Sequence, residues 1–224
     1  MTGTMQLDII LGILKVLAFV PAIVIHECAH GFAAYKLGDP TAKRGGRLTL
    51  NPLKHVDPFG TVVIPGLLIL SGAGFVFGYA KPVPYNPGYF KDIRKGEVIV
   101  GLAGPASNIA MSAIGAAIAW AAVMWGDASM AALYVWYFGT YFCTVNLCLA
   151  FFNLIPIPPL DGSSIIAPLL SDRALATYYK VQQYGMFILL VLIIAIPYLF
   201  PQIDVLSWYL QATAGNLSAL MLPI

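Results

Sequence analysis

The sequence predicts an all-α polytopic membrane protein of about five to six membrane segments, with a glycine- and proline-broken re-entrant or short β segment at about 60–90. Three observations carry that expectation. The 224 residues are 59% hydrophobic and only 10% charged, with a mean hydropathy of +0.81, where an ordinary soluble domain is roughly 25% charged. Apolar runs of the roughly 20 residues that cross a bilayer recur along the whole chain. The polar stretches between them have no room for a soluble domain.

The first run covers 9–25 and continues to 36; it lacks a basic n-region and a small-residue cleavage site, so it reads as a retained helix and not a signal peptide. Lys15 in its early half is expected to snorkel toward the interface. The loop at 36–58 carries Lys36, Lys43, Arg44, Arg47 and Lys54, and 81–95 carries Lys81, Lys91, Arg94 and Lys95. Both belong in the cytoplasm by the positive-inside rule. The stretch 60–78 therefore cannot be one simple span. Pro65, Gly66, Gly72, Gly74 and Gly78 agree, because breakers at that density disfavour a continuous helix, and such backbone is tolerated at membrane depth only inside protein or beside water. FVFGYAKPVPY, 75–85, reads as a short strand.

Two long runs follow, 97–125 and 129–157, joined by the turn WGDAS, which has no Lys or Arg and is expected outside. Asp172, Arg173 and Lys180 mark a solvated, amphipathic cytoplasmic connector before the runs 184–203 and 205–223. A net charge of +2 gives no footing for nucleic acid. Three cysteines, an odd number without a C-x-x-C pair, exclude a disulfide framework. Cys143 and Cys148 read as small buried residues, while Cys28 is a weak candidate for contact with a metal because of its neighbours.

Those neighbours carry the chemistry. HECAH, 26–30, ends an otherwise oily run, and it holds two of the chain's three histidines and one of its two glutamates. On a helix, i and i+4 share one face, so His26 and His30 can address a single ion with Glu27 in reach of a metal-bound water. This is the H-E-x-x-H pattern of zinc peptidases. Ionisable groups inside a membrane are costly and usually functional. Catalytic zinc takes three protein ligands and leaves a fourth position open, so one ligand must come from elsewhere. Asp161 in NLIPIPPLDG is the strongest candidate, because Pro156, Pro158 and Pro159 end the preceding helix and span parity returns Asp161 to the side of HECAH. His55, in a loop beside Asp57 and Pro58, is an accessory candidate for the metal, set against an ordinary loop hydrogen bond. Asn153 could donate to a developing oxyanion or cap backbone freed by the prolines. Asn108 in GPASN reads first as interhelical glue, with Gly101, Gly104 and Ala106 admitting a close neighbour.

HECAH at 26–30, GPASN at 104–108 and NLIPIPPLDG at 153–162 together resemble the site-2 protease family of intramembrane zinc metalloproteases, peptidase family M50, and its small members in particular, which also tend to carry a segment like NPLKHVDPFG at 51–60. The resemblance covers about residues 10–170. It implies one Zn2+ per chain on His26, His30 and Asp161, Glu27 activating the water, and Asn153 holding the substrate carbonyl or its oxyanion. The chain departs from many relatives in carrying no PDZ or CBS domain.

The expected protein is thus a single transmembrane metalloprotease domain over 1–224, with a catalytic core at about 9–170 and C-terminal helices at 171–224. It would cut a transmembrane-protein or peptide substrate within or beside its membrane segment, in the lipid bilayer of a prokaryotic plasma membrane, with the site toward the cytoplasm. A homo-oligomer or a gating partner is compatible with this reading. Two rival classes exist. A catalytically silent, helix-binding homologue should lack a metal or base residue, and none is missing. A divalent-metal transporter should show a relay of ionisable groups or two similar halves, and neither is visible.

Overall fold

A computed structural model describes residues 3–63, 80–125, 129–200 and 202–223. Three long helices form its centre: α1 (Gly3–Lys36), α2 (Ile93–Met124) and α3 (Met130–Asn153). Each is long and apolar enough to cross a membrane, and a fourth span is added if α5 (Asp172–Gln182) and the helical run Gly185–Leu199, bent by 66°, count as one. The run Gly185–Leu199 opens with α6 (Gly185–Leu190). Between α3 and α5 lies α4 (Asp161–Ile166), a helix of under two turns. The chain closes with helical turns from α7 (Val205–Leu210) to Asn216–Met221.

The ends of these helices follow from local chemistry. Asp92 caps α2 by accepting from the Lys95 amide at 3.1 Å, and Ser129 caps α3 by accepting from the Ala132 amide at 3.2 Å. α3 stops at Asn153, short of the apolar run's end at 157, because Pro156, Pro158 and Pro159 cannot continue it. Ser171 then caps α5, the amphipathic connector expected from its charges.

α2 packs against both α1 and α3. Its approach to α3 is close enough that a Cβ on Gly115 would meet the backbone of Cys143, and one on Gly139 would meet the backbone of Ala119. Small residues let membrane helices come this near. Outward faces of α1 and α2 are apolar, with Ile13, Val16, Leu17, Ile109 and Ile114 exposed, as lipid contact requires. Lys15 places its ammonium 5.2 Å from the Tyr141 ring centroid, so its charge finds an aromatic face.

The all-helical class holds, and no strand occurs among the described residues. Residues 64–79, which include most of the expected re-entrant segment and half of the expected strand, lie outside the described residues. The remainder, 80–85, has no regular secondary structure and pairs with no strand. The reason is chemical: Pro82 and Pro84 have no N–H to offer, the Lys81 amide donates to the His55 carbonyl at 2.9 Å, and the Val83 amide donates to Glu27.

Candidate metal centre

His26 and His30 occupy one face of α1, as the i, i+4 spacing requires, and both are buried. Asp161 reaches them from the first turn of α4, delivered by the proline-rich turn that ends α3. The ligand-type atoms of His26, His30 and Asp161 all lie within 4.8 Å of one another. In detail, the two Nε2 atoms are 3.0 Å apart, and Asp161 Oδ2 is 3.1 Å from that of His26 and 3.3 Å from that of His30.

The tautomers decide what this triangle can do. His30 Nδ1 lies 2.7 Å from the carbonyl of Val100, which can only accept, so Nδ1 carries the proton. His26 Nδ1 lies 2.5 Å from Asn108 Oδ1 and donates to it. A neutral imidazole has one N–H, so both Nε2 atoms present lone pairs toward each other and toward a carboxylate. Asp161 Oδ2 is buried and receives no hydrogen bond. Three acceptors thus converge with no donor between them, which is repulsive unless a cation sits there. Tetrahedral zinc with bonds of about 2.0–2.1 Å sets its ligand atoms about 3.3 Å apart, and the three separations match within a few tenths. The buried group His26, His30 and Asp161 can hold a metal ion.

α2 fits closely behind the imidazoles. A Cβ on Gly104 would collide with His30 Nε2 and with Cε1 of both rings. The glycine of GPASN is therefore needed for space. Asn108, four residues on, is fully buried; its amide nitrogen donates to Asn146 Oδ1 at 2.7 Å and to the Ala22 carbonyl at 3.3 Å. It touches a histidine directly, where the sequence favoured plain packing.

A cavity of about 490 Å³ opens beside the triangle, with Glu27 and Asn153 in its wall. Ile23, Leu149, Phe152 and Leu189 give it apolar sides, and Pro82, Val83 and Tyr85 of the segment after the undescribed residues border it. Glu27 Oε2 accepts from the Val83 amide at 2.9 Å. Asn153 donates through Nδ2 to its own helix at Leu149 O, 3.0 Å, which leaves its second N–H available.

Two candidates fall away from this group. Cys28, two residues from each histidine, points to another side of α1, where its thiol donates to the Thr49 carbonyl at 3.0 Å. His55 is buried there too, with Nε2 2.9 Å from the same carbonyl and 3.8 Å from Cys28 Sγ. It makes the local loop contact that was the alternative to metal binding. The residues without a forecast role are Val100, Val83 and Asn146. Val100 and Val83 act through backbone atoms, which leave no mark in a sequence.

The model for peptidase family M50 matches residues 118–196, the stretch that supplies Asn153 and Asp161. A Bacillus subtilis protein named "Putative zinc metalloprotease YwhC" is 40% identical over 181 residues, 80% of this chain and 79% of its own. The corresponding protein named Rip2 is 30% identical in Mycolicibacterium smegmatis, over 92% of this chain and 80% of its own, and 27% identical in Mycobacterium tuberculosis strain H37Rv, over 82% and 67%. No solved structure matches the chain. Relatives aligned across most of both chains, together with a helix pair that brings a histidine couple to a distant aspartate, lead to one conclusion: the chain belongs to peptidase family M50.

Proposed function

We propose that this M50 member is an intramembrane zinc metalloprotease that hydrolyses peptide bonds within or next to transmembrane segments of membrane proteins. The observation that carries the reading is the convergence of three ligand-type atoms, from His26, His30 and Asp161, within 4.8 Å of one another. His26, His30 and Asp161 would hold the ion. Zinc, when bound, polarises a water and a carbonyl oxygen as a Lewis acid.

The chain's own groups supply the rest. Glu27 takes a proton from the attacking water, a C–O bond forms at the peptide carbonyl, and the C–N bond breaks as Glu27 returns the proton to the departing amine. The Val83 amide holds the carboxylate through Oε2 and leaves its other oxygen for that proton. Asn153, with one N–H spare, donates to the developing oxyanion. Apolar walls from Ile23, Leu149 and Phe152 exclude bulk water and suit an apolar substrate segment.

The chain forms one transmembrane domain, in which the helical turns over 205–223 add a further segment to the three or four membrane-length spans, and the site faces the cytoplasm of a bacterial plasma membrane. The loops rich in Lys and Arg support that side. The test is metal content of the detergent-purified chain beside Asp161→Ala, with Glu27→Gln as a third arm. About one zinc is expected in the wild type and in Glu27→Gln, and a clear loss in Asp161→Ala. Cleavage of a membrane-segment peptide should fall by about 10²–10⁴ in Glu27→Gln, the scale of a lost general base. Full zinc in Asp161→Ala would remove Asp161 from the ligand set, and undiminished cleavage by Glu27→Gln would remove the base.

A further inference from the structure

Asn146 lies in the C-terminal half of α3, in the apolar stretch TYFCTVNLCLAFFN, and is fully buried. A buried amide at membrane depth is expensive and generally marks a function. Its partners can be followed outward in one direction only. Asn146 Nδ2 lies 2.8 Å from the carbonyl of Phe142, an acceptor with no proton to give, so this corner of the amide must be the nitrogen. Oδ1 is then the corner that faces Asn108, 2.7 Å away, and only an N–H can satisfy it there. Asn108 must present its nitrogen to Asn146, a choice the Ala22 carbonyl reinforces from α1. The Asn108 oxygen is left facing His26 Nδ1 at 2.5 Å, and that nitrogen must donate. Turning either amide over would set two donors or two acceptors against each other. The Phe142 carbonyl thus fixes, through two amides on two helices, which nitrogen of His26 keeps its lone pair.

We propose that Asn146 is a positioning residue for the metal centre: through Asn108 it holds His26 in the tautomer whose Nε2 is free for the ion. The inference rests on the metal reading of His26, His30 and Asp161. Partners one step beyond a ligand commonly contribute 10–100-fold to metal affinity because they orient the ring and raise its basicity. His30 needs no such relay, since Val100 supplies a backbone carbonyl directly. The asymmetry is physical: a carbonyl can only accept, whereas an asparagine must be told which way round to stand.

Interhelical glue is the competing role for a buried asparagine, and zinc affinity separates the two. The full chain in detergent is stripped of metal and titrated with zinc against a chromophoric chelator, for wild type, Asn146→Ala, Asn108→Ala, the double variant and Asn146→Asp. Expected is an affinity loss of about tenfold in Asn146→Ala, the low end of the outer-shell range, and no further loss when Asn146→Ala is added to Asn108→Ala. Asn146→Asp, which buried and neutral can accept from Asn108 and donate to Phe142, should bind near wild type. Unchanged affinity in Asn146→Ala, or losses that simply add in the double variant, would overturn the inference while leaving the metal site standing. A wild-type chain that takes no zinc would overturn the metal reading and this inference with it. Should Asn146→Ala fail to fold, Asn146→Leu fills the volume without the amide, and the same two outcomes decide.

Discussion

Asp39 and Asp161 are both carboxylates placed shortly after a membrane-length helix, and their surroundings are opposite. Asp39 is fully buried and matched by donors: the Thr41 amide and hydroxyl give to Oδ1 at 2.9 and 2.5 Å, and the Asn86 amide gives to Oδ2 at 2.6 Å. Asp161 Oδ2 is buried without a single donor, and the nearest polar atoms are two imidazole nitrogens with lone pairs turned toward it. A carboxylate supplied with N–H and O–H groups is finished as a structural tie. One surrounded by lone pairs is suited to a cation. Asp39 pins the segment that borders the cavity, and Asp161 belongs to a group in the cavity wall that could hold an ion. The distinction lies in the neighbours and not in the degree of burial.

The strongest way to break this comparison is Asp161→Asn. The new amide would place a donor where three acceptors now meet, so the metal-free chain at pH 8.5 should keep or raise its melting temperature. The variant should lose the stabilisation that zinc gives the wild type, about 4 kcal/mol at a thousandfold excess over the dissociation constant. Thermal unfolding in detergent with and without zinc reads both effects. A metal-free variant that melts well below the metal-free wild type would mean that Asp161 already has its partners, as Asp39 does.

How far the sequence foretold this contrast depends on the kind of contact. HECAH was legible because helical periodicity alone puts His26 beside His30, and Asp161 because three prolines and the parity of the spans narrow where a third ligand can arise. Asp39 was passed over: Gly-Asp-Pro-Thr reads as a turn, and nothing local says that Asn86, 47 residues on, closes it. Asn146 sits in a helix apolar enough that its facing partner depends on how α2 and α3 rotate against each other, which composition does not encode. His55 was within reach as a loop residue, but its burial against Cys28 depends on how the loop folds under α1. The long helices were readable, but the strand expected at 75–85 does not form over its described half, 80–85. The end of α3 was placed too late, since the prolines act on the turn before them.

A smaller effect sharpens the same comparison from the side of space. Gly104→Val leaves every ligand in place but pushes a side chain into His30 Nε2 and the Cε1 atoms of both rings. Zinc affinity should fall by about 10–100-fold, as when the support of a ligand is disturbed, and the melting temperature of the metal-free chain should drop modestly from overpacking. Gly104→Ala should fall between. Wild-type affinity in Gly104→Val, measured by chelator competition, would show that the imidazoles can retreat from α2 and still bind.

The smallest effect belongs to Asp39, and its sign should be opposite to that at Asp161. In Asp39→Asn the oxygen can still accept from Thr41, but the amide nitrogen meets the Asn86 N–H, donor against donor. A cost of about 1 kcal/mol is expected, the low end for a buried group left unpaired. Burial pushes the Asp39 carboxyl up, but hydrogen bonds from Thr41 and Asn86, helped by the charge of Arg44, outweigh it and hold the group below its ordinary value. A carboxyl depressed in the folded state adds stability above the unfolded value, roughly 3.9, and loses it as the pH falls through the folded one. The wild type should therefore lead Asp39→Asn at neutral pH by a gap that narrows below about pH 4, while zinc binding stays the same in both chains. Melting curves from pH 7 downward, with zinc chelated so that Asp161 contributes equally, follow that gap. If it stays constant through the acid range, the Asn86 and Thr41 donors are not what hold Asp39 ionised, and the two carboxylates differ less than their neighbours imply.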